Sequence, residues 1–165
     1  MRSFIVLGIL LLMLPVASGF EDFLEVVVEI DASGNAFVSY FPSIDSRLRT
    51  ELNMSVPGGS YFKVYDENSS LSFTSEDDWL VVSPSKHVES YLFVVEFFTS
   101  ELTEKKEDFW FARFSYFDGF ENKVVRMKLP PNSKVFEVSD EGILSGDGDS
   151  IVAEWVLTEN QDAVF

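Results

Sequence analysis

The sequence predicts an all-β fold: an antiparallel β-sandwich, immunoglobulin-like or of a related type, preceded by a signal peptide. Three observations lead there. Apolar residues alternate at period two through many short stretches, turn residues punctuate them at close spacing, and no long stretch keeps a helical period. Roughly nine or ten strands at that spacing suit a sandwich, with a barrel as the alternative.

Residues 1–19 read as a leader rather than as fold. Arg2 supplies a positive start, Phe4 to Leu14 is an apolar run, Pro15 breaks it, and Ala17, Ser18 and Gly19 offer a peptidase site after Ser18 or Gly19. The run falls short of a comfortable bilayer span, and no later segment reaches ~18 apolar residues. Residues 20–165 then form one domain. Its expected place is outside the cell, secreted or on the outer face of the membrane. With no cysteine in the chain, disulfides cannot hold the domain, and its apolar core must. Such a chain, exported without disulfides, points to a prokaryotic source.

From Leu24 to Ile30 the residues favour a strand. Ser33-Gly34-Asn35 turns the chain into Ala36–Phe41, predicting a first hairpin. Pro42–Thr50 reads as a polar connection with room for one helical turn. Glu51–Val56 is a strand stopped by Pro57-Gly58-Gly59, and Tyr61–Tyr65 follows it. Leu71–Phe73 and Trp79–Val82 flank the acidic turn Ser75–Asp78. Val88–Phe98, rich in β-branched and aromatic residues, predicts a central strand. Thr99–Asp108 is a charged connection with room for a helical turn. Phe109–Phe117 alternates, with Trp110, Ala112, Phe114 and Tyr116 expected inward. Lys123–Leu129 is a strand ended by Pro130-Pro131-Asn132, and Lys134–Val138 is a short one. Gly142–Asp149 reads as a glycine-rich acidic loop. Ile151, Ala153, Trp155 and Leu157 form a last inward face, and Val164-Phe165 reads as the beginning of a strand.

Charge bounds the partners. Once residues 1–19 are removed, 11 basic and 28 acidic residues remain, a net charge of −17. Nucleic-acid binding demands the opposite sign, and anionic lipid repels such a surface. A solvated acidic shell keeps an exported protein soluble and monomeric. Without cysteine and with His87 as the sole histidine, Cys–His chemistry and two-histidine metal sites are excluded. No serine sits in a G-x-S-x-G elbow. Glu96 and Glu154 each interrupt an apolar strand, where an inward carboxylate would have a raised pKa; a solvent-facing position is the simpler reading.

Gly146-Asp147-Gly148-Asp149-Ser150 carries half of a calcium-loop pattern, making Asp147 and Asp149 candidate metal ligands. The glutamate that completes an EF-hand loop is absent. Glu76-Asp77-Asp78 is a second acidic cluster, able to join them only if the fold brings the loops together. Asn53-Met54-Ser55 and Asn68-Ser69-Ser70 are glycosylation sequons, so Asn53 and Asn68 are acceptor candidates in an exported chain. Trp79, at a strand start after three acids, and Tyr61, beside Gly58-Gly59, are the candidate ligand-binding aromatics. No cofactor is expected.

The order of features from Val26 onward carries a resemblance. Asp31-Ala32-Ser33-Gly34-Asn35-Ala36 follows the first strand. Glu96 to Lys105, Phe109-Trp110, Leu129-Pro130-Pro131-Asn132-Ser133-Lys134-Val135 and Glu154-Trp155 follow in turn. The whole resembles a group of archaeal exported or envelope β-sandwich domains of uncharacterised function, over most of residues 25–157. Members are often anchored by a later transmembrane helix. The resemblance implies a structural framework and carries no catalytic residues. Together these readings predict a non-catalytic extracellular or cell-envelope interaction domain with a protein partner, reached through loops or open strand edges such as Ala163–Phe165. The alternatives are a carbohydrate- or calcium-binding module and a carboxylate-based hydrolase.

Overall fold

Leu24, Val26 and Val28 are fully buried, while Glu25, Val27 and Glu29 alternate with them on the opposite face. That period-two pattern defines the first strand and the inward side of the main sheet. The structure is a computed structural model describing residues 21–114, 119–120, 122–139, 142–158 and 163–164. Among the described residues it is all-β, with fourteen strands and no helix.

The strands are β1 (Phe23–Ile30), β2 (Ala36–Ile44), β3 (Leu52–Ser55), β4 (Ser60–Tyr65), β5 (Phe73–Glu76), β6 (Trp79–Val82) and β7 (Tyr91–Leu92). Then come β8 (Val94–Thr99), β9 (Thr103–Lys106), β10 (Phe109–Phe114), β11 (Asn122–Lys128), β12 (Ile143–Asp147), β13 (Ser150–Thr158) and β14 (Ala163–Val164). The large sheet runs β12-β13-β11-β1-β2-β8-β4, with β7 extending β2's pairing at Ser43 and Ile44. Two three-stranded sheets run β14-β10-β9 and β3-β6-β5.

The small sheets meet the large one across a single apolar cluster. Tyr40, on the inward face of β2, packs edge-on against Phe97 of β8 at 5.3 Å and against Phe114 of β10 at 6.2 Å. Its hydroxyl donates to the Ser55 carbonyl of β3 at 2.8 Å. One buried ring thus touches both small sheets.

The pairing is not antiparallel throughout. β1 and β11 run parallel, Phe23 opposite Asn122 through Glu29 opposite Lys128. The hairpin partner β2 occupies one flank of β1, so the other flank is filled by a strand that returns after a long excursion. Other expectations also shift. Pro42 does not end its strand: β8 pairs only as far as Tyr40, β7 takes over at Ser43, and the missing N–H falls between them. The run Val88–Phe98 divides into β7 and β8, and β8 lies one strand from the sheet's end rather than at its centre. Thr103–Lys106 is no helical turn but the edge strand β9, where charged side chains suit an exposed edge.

Two segments exchange roles. Residues 133–139 form no strand, and Ile143–Asp147 forms one. The flank of β13 admits a single neighbour. β12 takes it through a tight hairpin in which Asp147 faces Ser150, and Gly148 adopts a φ of 61°. The readings that fall on residues 1–19, Tyr116 and Phe165 lie outside the described residues.

A buried carboxylate ties the loops below β4. Asp66 accepts from the Tyr91 hydroxyl at 2.7 Å, from Ser85 Oγ at 2.9 Å, and from the backbone N–H of Asn68 and Ser69. These donors, Tyr91 foremost, hold its pKa far below the ordinary 3.8. A depressed carboxylate stabilises the fold fully above its unfolded pKa, and the contribution is lost as pH falls through the folded value. Melting temperature is therefore expected to drop as pH goes below about 4. In Asp66→Asn the acid limb of a pH–melting profile should flatten; an unchanged limb would show that other carboxylates govern it.

Candidate functional site

Beyond Leu129 the chain cannot continue the β11 ladder, because Pro130 and Pro131 follow. Residues 129–139 instead run as a strap tied back to β13 and the turn before it. The Leu129 N–H donates to the Ile151 carbonyl, Asn132 N–H to the Asp149 carbonyl, and Trp155 Nε1 to Ser139 Oγ at 3.1 Å. Gly142 closes this tie: a Cβ there would lie 2.3 Å from Val138 and 2.6 Å from the Trp155 indole nitrogen.

Between the strap, the β9–β10 hairpin and the β1–β2 turn lies a groove of about 840 Å³. That volume is in the range of small-ligand and peptide sites. Its lining is aromatic. Phe109, Trp110 and Phe111 come from β10, and Phe136 comes from the strap. All four are exposed, Trp110 at 46% and Phe136 at 78%. Phe109 and Phe136 meet across the groove edge-to-face, with centroids 5.2 Å apart. Lys105 Nζ sits 5.7 Å from the Trp110 ring centroid, and Lys106 Nζ lies 5.3 Å from that of Phe111.

Trp110 was expected inward with Ala112 and Phe114. Those two are buried; Trp110 is not. The start of β10 reaches past the core, and the indole rests on the β1–β2 turn instead. A Cβ on Gly34 would lie 2.4 Å from that ring, and Gly34 has a φ of 85°. Thr103 Oγ1 fixes the same turn by donating to the Gly34 carbonyl at 2.5 Å. A signal for this surface stood in the sequence. Three consecutive aromatics on one strand cannot all face one side. Phe136 gave no comparable sign, since its segment alternates like a strand.

The other site candidates are dispersed. Tyr61 is 84% exposed on β4 at a break in the β4–β8 register, with a φ of 55°. Its ring packs edge-on against Phe98 at 6.5 Å. Trp79 is exposed on β6, at the end of a hairpin in a different sheet. Asn53 is exposed on the edge strand β3, and Asn68 is exposed in the turn after β4. His87 is an exposed loop residue whose Nδ1 N–H donates to the Ser46 carbonyl.

Asp147 pairs with Lys128 at 2.6 Å, and Asp149 lies in the β12–β13 turn. Asp77 and Asp78 turn the β5–β6 hairpin, where Asp78 accepts from the Gly58 N–H at 2.9 Å. Among the described residues no three His, Asp or Glu side chains gather to hold a metal ion. Glu96 and Glu154 are both half-buried on the outward face of the large sheet. Glu96 accepts from the Tyr65 hydroxyl at 3.0 Å, and Glu154 from Arg126 Nε at 2.5 Å.

No protein-family model matches the chain, and no curated protein matches it by sequence. Solved structures do. A yeast LTA4 hydrolase in complex with Bestatin superposes with a TM-score of 0.58 at 11% identity, over 86% of this chain and 27% of that one. A mutant M1 zinc metallopeptidase from Deinococcus radiodurans, bound to a Tyr-Ser-Ala substrate, gives 0.52 at 7% identity, over 81% of this chain and 38% of that one. At these identities the likeness is one of fold. The chain spans about a quarter to two fifths of the length of these two proteins.

Two outcomes are expected of this geometry. Gly34→Ala should destabilise by about 1–2 kcal/mol from the left-handed backbone alone, and it should displace Trp110, read as a shift in indole fluorescence. Millimolar calcium should leave the melting temperature unchanged. A rise would mean that a metal binds the folded chain.

Proposed function

We propose that the chain is a non-catalytic interaction domain, a β-sandwich exported behind residues 1–19, and that the aromatic groove is its recognition surface. The observation that carries this reading is the row of exposed rings on a rigid strand, closed by Phe136 from a pinned strap. Exposed aromatics in a depression are the usual anchors of protein recognition. Such a cluster has no purpose for stability alone, since burying it would stabilise the fold further.

The peptidase likeness does not argue for peptidase chemistry here. A zinc site of the H-E-x-x-H kind needs two histidines, and the chain has one. The open edges expected to receive a partner strand remain a secondary surface. Of Ala163–Phe165, Ala163 and Val164 pair with Phe114 and Arg113 on one side of β14.

The test is site-specific photo-crosslinking in the source cell. A crosslinking residue replaces Phe136 in one strain and the exposed Leu48, away from the groove, in another. One recurrent envelope or extracellular partner should be trapped from position 136 and not from position 48. The captured chain should begin at Gly19 or Phe20. Free chain in the medium, with nothing trapped at either position, would overturn the proposal.

A further inference from the structure

The groove is acidic as well as aromatic, and the two properties act at one end. Asp31, Asp108 and Glu137 line it, against Lys134 as the one basic lining residue among those described. Asp108 immediately precedes Phe109, and Glu137 immediately follows Phe136. Each ring of the edge-to-face pair thus has an acidic neighbour in the chain that also lines the groove. On the β9–β10 hairpin the protein's own ammonium groups already sit over aromatic faces, Lys105 on Trp110 and Lys106 on Phe111. These rings take cations, and the groove's own lining carries three carboxylates against one ammonium.

We infer that the Phe109–Phe136 end of the groove binds an arginine side chain presented by a basic, extended peptide segment of the partner. The inference rests on the groove being the recognition surface. Arginine fits better than lysine, because its planar guanidinium stacks on an aromatic face while its fork reaches a carboxylate. A peptide fits better than a free cation, because the groove has room for several residues and apolar lining on which their side chains pack. The net charge of the domain adds long-range attraction for a basic segment and raises its encounter rate at low salt. Phe136 and Glu137 lie on an exposed strap, so substituting them does not disturb the core.

The test is calorimetric titration of the full-length mature chain with a blocked hexapeptide alternating arginine and leucine. The same peptide carrying citrulline, which keeps the shape and removes the charge, is the control. Saturable binding is expected. Phe136→Ala should weaken it roughly tenfold, as loss of an interface anchor does. Glu137→Gln should weaken it by about threefold and reduce its salt dependence. The citrulline peptide should bind at least about tenfold more weakly, as loss of a charge-assisted contact requires.

Equal binding of the two peptides would overturn the arginine assignment. Binding unaffected by Phe136→Ala would place the peptide elsewhere and overturn it equally. No binding, with a partner still crosslinked at position 136, would overturn this inference and leave the interaction reading standing. No binding and no crosslink would remove both.

Discussion

The whole architecture depends on one buried side chain touching three sheets at once. Tyr40 stands on the inward face of β2, meets Phe97 within its own sheet, Phe114 in the second and the Ser55 carbonyl in the third. A phenylalanine would fill the space but leave the Ser55 carbonyl without that hydroxyl, at a cost of about 1 kcal/mol or more for a buried acceptor. A leucine would lose the two edge-on ring contacts. Because the chain has no disulfide to join its layers, the contact at Tyr40 and the surrounding apolar cluster must do so.

The opposite face of the large sheet answers a different constraint. It is open to water and carries Glu25 and Glu29 from β1, Glu96 from β8 and Glu154 from β13. Arg126 on β11 sits between Glu25 and Glu154 and pairs with both. Lys128 pairs with Asp147 two positions along. Each half-exposed pair contributes little alone, about 0.2–1 kcal/mol. Together they set scarce cations among the acids of that face, with Arg126 opposite Glu154 and Lys128 opposite Glu29 in the ladders. The same arrangement leaves the surplus of negative charge on the loops and the groove.

Where one face met the core and the other met water, the fold was legible in the sequence. β1, β11 and β13 alternate, and their inward residues Leu24, Val26, Val28, Val125, Met127, Ala153, Trp155 and Leu157 are buried, although the same face also buries Lys123 and leaves Ile151 only part-buried. Legibility failed where the partner, rather than the pattern, decides. Lys134–Val138 alternates as a strand does, but the flank it would need belongs to Ile143–Asp147. Thr103–Lys106 looks unlike a strand until β10 lies beside it. Trp110 reads as core by period, yet the core ends before it, because the β1–β2 turn is where the indole comes to rest. The groove was missed for the same reason. Its walls come from three separate segments, the β1–β2 turn, the β9–β10 hairpin and the strap, and only the tertiary pairing brings them together.

The strap has a consequence for how such domains diversify. Its ends are held by backbone bonds to β13 and by the Trp155–Ser139 contact, while Phe136 projects from the middle with no ladder bonds around it. Changes in length or composition between Asn132 and Ser139 would alter the groove wall without touching the sheet, and lengthening a loop costs little entropy. The framework is thus free to persist under selection while that wall drifts. Domains built on this plan would diverge first in what they recognise and last in how they fold.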